Sequence, residues 1–218
     1  MDNVWNKIPL EDYECHMQHA SVGQLQLLNN LTKRYLNKLC PEIVMFLGIA
    51  GGNGLEHIDN KVTKEVLGVD LNQSYLDETA RRFKDKIPLL HLLNIDISSA
   101  KTEELTRADF IWAALIFEYV ATDVCFRFIS NNINENGYVT VTIQANNGVS
   151  SVSQTGIESI KTAGQIFRIV PESELLISAE KFGFYQIDFE EHILPNKKSL
   201  KTYTFSKKNS EPKTMGSM

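Results

Sequence analysis

The sequence predicts an α/β fold, a doubly wound and mostly parallel seven-stranded sheet that ends in a C-terminal antiparallel hairpin. Three observations indicate it. From residue 43 onward, short apolar runs alternate with segments of helical periodicity, as in chains built from repeated strand–helix units. The first apolar run leads directly into a cluster of small residues. The last two runs are separated only by residues 194–198, a connection that is too short for a parallel crossover.

Residues 1–40 are predicted to form an N-terminal helical segment that packs on the domain. Apolar side chains recur at helical spacing between residues 11 and 39, which is typical of an amphipathic helix. Ser21 and Gln24 have the spacing of a capping box, so the longer helix is expected to begin there. The domain itself is expected to span residues 41–208.

The first strand and the turn after it are the most informative part of the chain. Residues 43–47 are all apolar, which suits a central parallel strand covered on both faces. A turn of small residues then lets a ligand approach the backbone, and a helix predicted from residue 55 to about residue 60 would direct its free amides at that ligand. The small residues of this turn are Gly48, Ala50, Gly51, Gly52 and Gly54.

The second apolar strand ends in an acidic residue, Asp70, eighteen residues after Gly52. A carboxylate at the tip of this strand can accept hydrogen bonds from both hydroxyls of a ribose. The turn and Asp70 together predict a site for a nucleoside-containing cofactor. The same pair of features also fits an NAD-dependent oxidoreductase, so the residues alone leave that alternative open.

The remaining elements continue the alternation of helices and strands. Further helices are predicted from Asn72, near residues 102–105, from Thr122 and from Pro171, and further strands at 89–96, 110–115, 138–144, 185–193 and 199–205. His91 lies between leucines in the third strand and is expected to be a core histidine. Residues 145–156 are small and polar, which predicts a mobile loop. Residues 209–218 are predicted to be a disordered tail.

Composition and charge narrow the class of protein. The formal net charge is -5, and no basic stripe with interleaved aromatics indicates a nucleic-acid partner. The lysines near residues 197–213 are expected to belong to a solvated hairpin and tail. The apolar runs are too short to span a bilayer, and Cys15, Cys40 and Cys125 match no metal spacing. We therefore expect a cytoplasmic protein with no nucleic acid, membrane or metal partner; the oligomeric state stays open.

Four segments, in this order, resemble motifs of the class I methyltransferases that use S-adenosylmethionine, over about residues 20–207. They are the glycine-rich segment 44–54, the acidic residue Asp70, the segment 94–97, and the fourth strand at 108–114. The resemblance implies a Rossmann-like methyltransferase fold with S-adenosyl-L-methionine as the cofactor. By the same resemblance, the cofactor-binding residues are Gly48, Ala50, Gly52, Asn53, Asp70, Leu71, Asp96, Ile97 and Ala114.

The implied function is in-line transfer of a methyl group to a small-molecule acceptor. The acceptor class follows by elimination, since no motif for nucleic-acid base methylation is present. Two positions depart from the family pattern: Phe46 replaces an acidic residue, and Ala50 replaces a glycine. These departures keep a non-catalytic or altered cofactor-binding relative open as an alternative, and a polyamine-synthase-like transferase would share the fold.

The catalytic residues stay unassigned at this stage, with four candidates. Tyr13 and His16 lie in the N-terminal segment, and Glu118 and Tyr119 follow the fourth strand. Each has a structural alternative: Tyr119 could be core, and Glu118 could be a helix-start charge. Residues 5–19 and the loop 145–156 are both expected at the carboxyl edge of the sheet, where they would cover the ligand.

Overall fold

The computed structural model describes residues 3–99, 105–150 and 152–207. Within these ranges it contains a seven-stranded sheet of order β3-β2-β1-β4-β5-β7-β6. The strands are β1 (Ile43–Leu47), β2 (Glu65–Asp70), β3 (Leu90–Asn94), β4 (Ala108–Ala114), β5 (Ile133–Ala145), β6 (Tyr185–Ile193) and β7 (Ser199–Ser206). The helices are α1 (Leu10–Gln18), α2 (Gln24–Leu39), α3 (Gln73–Phe83), α4 (Thr122–Asn132), α5 (Glu158–Lys161) and α6 (Glu172–Lys181).

The strand pairing confirms the predicted fold class. β1 pairs in parallel with both β2 and β4, and β5 pairs antiparallel with β7. β6 and β7 form the predicted hairpin, closed by a hydrogen bond from the Leu194 amide to the Lys198 carbonyl (2.8 Å). The strand order reverses between β1 and β4, so the topological switch point of the sheet lies there.

Each face of the sheet is covered by its own apolar layer, and β1 shows why. Its side chains alternate between the faces, as the pleat of a strand requires. Met45 and Leu47 belong to the layer that contains residues of α4 and α6, whereas Val44 and Phe46 belong to the layer that contains residues of α2 and α3. The continuous apolar run is thus explained by burial on both sides.

Three local predictions are wrong. The glycine-rich turn is followed by a single 3-10 turn, Leu55–His57, rather than by a helix to residue 60. The longer N-terminal helix, α2, begins after Gly23 (φ 66°) with no side-chain cap, so Ser21 forms no capping box. β5 begins at Ile133, directly after α4 ends at Asn132, and so starts five residues before the strand predicted at 138–144.

The third strand is also less buried than predicted, because β3 is an edge strand of the sheet. The His91 side chain is 50% exposed and lies 3.6 Å from a Glu65 carboxylate oxygen. It is therefore not a core histidine. The helix predicted near residues 102–105 falls mostly in residues 100–104, and the tail predicted at 209–218 also lies outside the described residues. The domain boundaries at 40 and 208 stay predictions.

Across the described ranges, no helix has the length and apolar character needed to cross a bilayer. The same ranges contain no group of three or more His, Cys, Asp or Glu side chains placed to hold a metal ion.

Candidate functional site

A cavity of about 110 Å³ opens where β1, β2 and β4 end, at the switch point of the sheet. Open α/β folds bind their ligands at this place, because the loops after neighbouring strands diverge there. Seven of the nine predicted cofactor residues line it: Gly48, Ala50, Asp70, Leu71, Asp96, Ile97 and Ala114. The structure thus brings together residues that are spread over 67 positions of the sequence.

The glycine-rich turn is anchored from outside by two side chains. Asp70 Oδ2 accepts a hydrogen bond from the Ala50 amide (2.9 Å), and the Thr79 hydroxyl donates to the Ala50 carbonyl (2.7 Å). Ala50 has a φ of 47°, in the left-handed region. A residue with a Cβ is strained there, so these two hydrogen bonds hold the turn against its own backbone preference.

Asp70 also faces the cavity. Its Oδ1 accepts from the Asn72 amide (2.9 Å), so each carboxylate oxygen has one backbone donor and retains a further lone pair. Burial raises the pKa of Asp70, and the amides of Asn72 and Ala50 act in the opposite direction. The side chain can therefore hold the turn and still accept hydrogen bonds from a ligand.

Asp96 also lines the cavity, from the loop after β3. Its Oδ1 accepts from both the amide (2.9 Å) and the hydroxyl (2.6 Å) of Ser98. The neighbouring wall is apolar and includes Ile95 and Ile97.

Gly52 and Asn53 do not line this cavity. They line an open groove on the other side of the turn, together with α1. A Cβ at position 52 would meet Phe83 (2.8 Å) and Leu55 (3.1 Å), at a φ of 80°. A side chain added at position 52, as in Gly52→Val, would therefore collide with the core rather than fill the cavity.

The N-terminal segment covers the cavity, as predicted. The Asn72 side chain donates to the Trp5 carbonyl (2.9 Å), and the Tyr75 hydroxyl donates to the Ile8 carbonyl (2.9 Å). These two bonds hold Trp5 above the site, where its ring meets Tyr13 and Tyr119 edge-on at centroid distances of 5.8 and 4.8 Å. The lid is thus attached to the same loop that carries Asp70.

A second, smaller cavity of about 60 Å³ adjoins the first. Both cavities are lined by Trp5, Tyr13, Leu115 and Tyr119. His16 lies on its wall and is hydrogen-bonded through Nδ1 to the Thr155 hydroxyl (2.8 Å). Burial lowers the pKa of His16 to about 4, so the imidazole is neutral near pH 7. This contact joins α1 to the loop 145–156, and both predicted lid segments therefore lie at this edge of the sheet.

Lys198 contradicts the expectation of a solvated hairpin. The hairpin turn inserts this side chain into the wall of the second cavity, where it is 1% exposed and donates from Nζ to the Ser153 hydroxyl (3.0 Å). Burial lowers the pKa of the ammonium to about 8. No feature of the sequence distinguishes Lys198 from its neighbour Lys197, which is exposed as expected.

Glu118 lies behind the cavities rather than in their walls. It is fully buried, and its Oε1 accepts from the Gln144 amide (2.6 Å). Its Oε2 has no hydrogen-bond partner in the described part of the chain. Burial raises the pKa of Glu118 to about 7. A helix-start charge would be solvated, so that alternative is wrong for Glu118, and Tyr119 stands in a cavity wall rather than in the core.

Both departures from the family pattern now have a location. Phe46 is a buried core residue beneath the turn, so this position supplies no charge to a cofactor tail. Ala50 is the strained residue of the turn. Sequence reasoning also missed Leu115, which lines both cavities with a φ of 57°. Strained backbone of this kind is frequent at functional sites.

No protein-family model matches the chain, and no curated protein sequence matches it. Solved structures, in contrast, do match the chain. The N-methyltransferase NodS from Bradyrhizobium japonicum WM9, in complex with S-adenosyl-L-homocysteine, superposes with a TM-score of 0.65 at 13% identity, over 94% of this chain and 98% of that one. The geranyl diphosphate C-methyltransferase from Streptomyces coelicolor A3(2) gives a TM-score of 0.63 at 11% identity, over 86% and 84%.

The [4+2]-cyclase SpnF superposes equally well, with a TM-score of 0.65 at 14% identity, over 83% of this chain and 82% of that one. At such low identity the likeness establishes the architecture and leaves the chemistry to the site. The sheet order, the closing hairpin and these superpositions agree. The chain has the fold of the class I methyltransferases that use S-adenosylmethionine.

Proposed function

We propose that the protein is a methyltransferase that binds S-adenosyl-L-methionine and methylates a small-molecule acceptor. The observation that carries the proposal is the cavity at the switch point, whose wall contains the carboxylates of Asp70 and Asp96 among mainly apolar residues. Structural neighbours named as methyltransferases, some holding S-adenosyl-L-homocysteine, support it. The dehydrogenase alternative receives no such support.

The residues present fit the nucleoside part of this cofactor. Asp70 retains acceptor capacity for the ribose hydroxyls, and the Asp96 carboxylate with the Ile97 amide would contact the base, as the family resemblance implies. Gly48 has a φ of 68°, and a Cβ added to it would meet Ile116 at 3.1 Å, so this position is best served by glycine. The amino-acid end is different from the family pattern, because buried Phe46 offers no carboxylate there.

When bound, the cofactor supplies an activated methyl group on a sulfonium. The chain then has to orient the acceptor and exclude water, which are its main contributions to such a transfer. Trp5, Tyr13 and Tyr119 stand between the two cavities, where the acceptor would meet the methyl group. Neutral His16 in the second cavity could take a proton from an acceptor hydroxyl or ammonium. Glu118 contacts neither cavity and would act as a positioning residue.

A second candidate is a relative that keeps the cofactor pocket with altered or no methyl transfer. Two observations favour it: Phe46 replaces the acidic residue, and a cyclase shares the fold. Cofactor binding is common to both candidates, whereas product formation belongs to the first alone.

Calorimetry with S-adenosylhomocysteine, with NAD as the comparison ligand, tests the shared step. We expect saturable binding of the first and none of the second. Binding of NAD alone would overturn the cofactor assignment. Incubation with methyl-labelled cofactor and pooled small metabolites then separates the candidates: labelled product supports the methyltransferase, and cofactor binding without any product supports the altered relative.

We also propose a cytoplasmic location and no nucleic-acid, membrane or metal partner.

A further inference from the structure

A third cavity, of about 40 Å³, lies between the glycine-rich turn and the helices α1 and α2. It adjoins the first cavity, at the switch point, because both are lined by Tyr13, Gly48, Ala50 and Ala114. A space of this size holds about three water-sized groups. The two cavities are thus neighbours at the turn, and the third has room for one end of a ligand that occupies the first.

Glu14, on α1, gives the third cavity its charge. None of the other described residues that line this cavity is Asp, Glu, Lys or Arg. Arg82 holds the carboxylate from the open groove, with Nη1 donating to Oε1 (2.5 Å) and Nη2 to Oε2 (2.9 Å). A carboxylate oxygen can accept two hydrogen bonds. The Glu14 carboxylate is therefore fixed in position and retains acceptor capacity for a ligand.

Gly51 shows that the turn is shaped to admit this carboxylate. A Cβ added at position 51 would overlap with Glu14 Oε1 and lie 2.7 Å from Arg82 Nη1. The φ of Gly51 is outside the left-handed region, so the backbone itself does not require glycine here. Arg82 Nη1 also donates to the Gly51 carbonyl (3.1 Å). The absence of a side chain at position 51 thus lets the ion pair contact the turn directly.

We propose that Glu14 binds the α-ammonium group of the cofactor in the third cavity. The proposal rests on the proposed function, because it takes the nucleoside to lie in the first cavity. S-adenosyl cofactors carry a cationic amino group on the chain that leads away from the ribose, and the third cavity offers that chain a carboxylate. Hydrogen bonds between ionised partners are the stronger ones. Phe46 lines the same cavity, so a residue of α1 would supply the negative charge that position 46 lacks.

Two ligands that differ in one group test the proposal. They are S-adenosylhomocysteine and its analogue in which hydrogen replaces the amino group, and calorimetry measures the affinity of each. We expect the wild type to bind S-adenosylhomocysteine at least about tenfold more tightly, because the analogue cannot pair with the carboxylate. Equal affinities would overturn the proposal without any variant. Binding of neither ligand would mean that the proposed function itself fails.

Glu14→Gln removes the charge and nearly keeps the shape of the side chain. Glu11→Gln is the matched control, since Glu11 is an exposed residue of the same helix and does not line the third cavity. We expect the preference for the amine to disappear in the first variant and to persist in the second. If Glu14→Gln weakens both ligands by the same factor and keeps the preference, Glu14 acts only by attaching α1 to Arg82, and the proposal is wrong.

Gly51→Ala tests the same contact with Glu14 unchanged. The backbone at position 51 suits alanine, and the atoms that its methyl group would displace first belong to the ends of the Glu14 and Arg82 side chains, so we expect the fold to persist. Urea denaturation checks this. We expect Gly51→Ala to lose most of the preference for S-adenosylhomocysteine while binding the analogue like the wild type. An unchanged preference in a folded Gly51→Ala protein would overturn the placement of the amine beside the turn.

Discussion

The carboxylate of Asp70 accepts a hydrogen bond from the backbone amide of Ala50 at 2.9 Å, across 20 residues of sequence. The residue proposed to bind the ribose thus also holds the glycine-rich turn. Under this proposal, one side chain couples cofactor binding to the local backbone geometry, and experiments on Asp70 have to separate the two effects.

Asp70→Ala is expected to weaken S-adenosylhomocysteine binding by one to two orders of magnitude, because a pair of buried hydrogen bonds is worth roughly 1–3 kcal/mol. Calorimetry measures the effect. Thr79→Val is the control, since it removes the other anchor of Ala50 from outside the cavity. An equal loss in both variants would mean that Asp70 acts only through the turn.

Ala50→Gly is expected to raise the free energy of unfolding by about 0.5–1 kcal/mol, because it relieves a left-handed residue that has a Cβ. Urea denaturation provides the measurement. Gly183→Ala is the reciprocal control: Gly183 has a φ of 78° with no atom within 4 Å of an added Cβ, so it isolates the backbone cost. A stability decrease in Ala50→Gly would show that the methyl group contributes packing that outweighs the strain.

Glu118→Gln is expected to be more stable relative to the wild type at high pH than at low pH. Glu118 has a pKa of about 7 in the folded chain against 4.5 for the ordinary group. The unfolded chain therefore releases this proton first, and folding loses stability between these two values, on the order of 3 kcal/mol in total. Glutamine has no proton to release and removes this dependence.

Urea denaturation of wild type and Glu118→Gln at about pH 5 and about pH 8 measures this difference. The comparison between proteins is needed because His16 acts in the opposite sense: its lowered pKa makes folding lose stability as the pH falls from 6.5 toward 4. The two dependences partly cancel in the wild type. A stability difference between the two proteins that is independent of pH would show that Glu118 is ionised in the fold.

Cofactor and acceptor together are expected to slow amide exchange in residues 5–19 and in the loop 145–156. These segments cover the two cavities and contact each other through His16 and Thr155, and a lid gains order when its ligand is bound. Hydrogen–deuterium exchange by mass spectrometry measures it, with β4 as the internal reference. Protection confined to residues 48–70 would place the acceptor elsewhere and remove Tyr13 and His16 from the candidates.

The sheet could be predicted from the periodicity of the chain, because a strand that is buried on both faces is apolar along its whole length. This pattern is visible in the sequence without knowledge of the neighbouring strands. The apolar run Ile43–Leu47 suits a central strand, which it forms, and the connection at 194–198 is too short for anything but a hairpin. Edge position is different. β3 is as leucine-rich as a central strand, and only the sheet order shows that His91 faces solvent.

The sequence by itself determined the fold class, the cofactor turn and Asp70, because each depends on local spacing along the chain. Tertiary structure decided the rest of the site. Gly52 faces the core and Lys198 faces a cavity, although neighbouring residues of the same type, Gly51 and Lys197, would read identically in the sequence. The direction in which a turn residue faces is set by contacts between distant segments, here Phe83 with Gly52 and Ser153 with Lys198. These contacts exist only once the chain is folded.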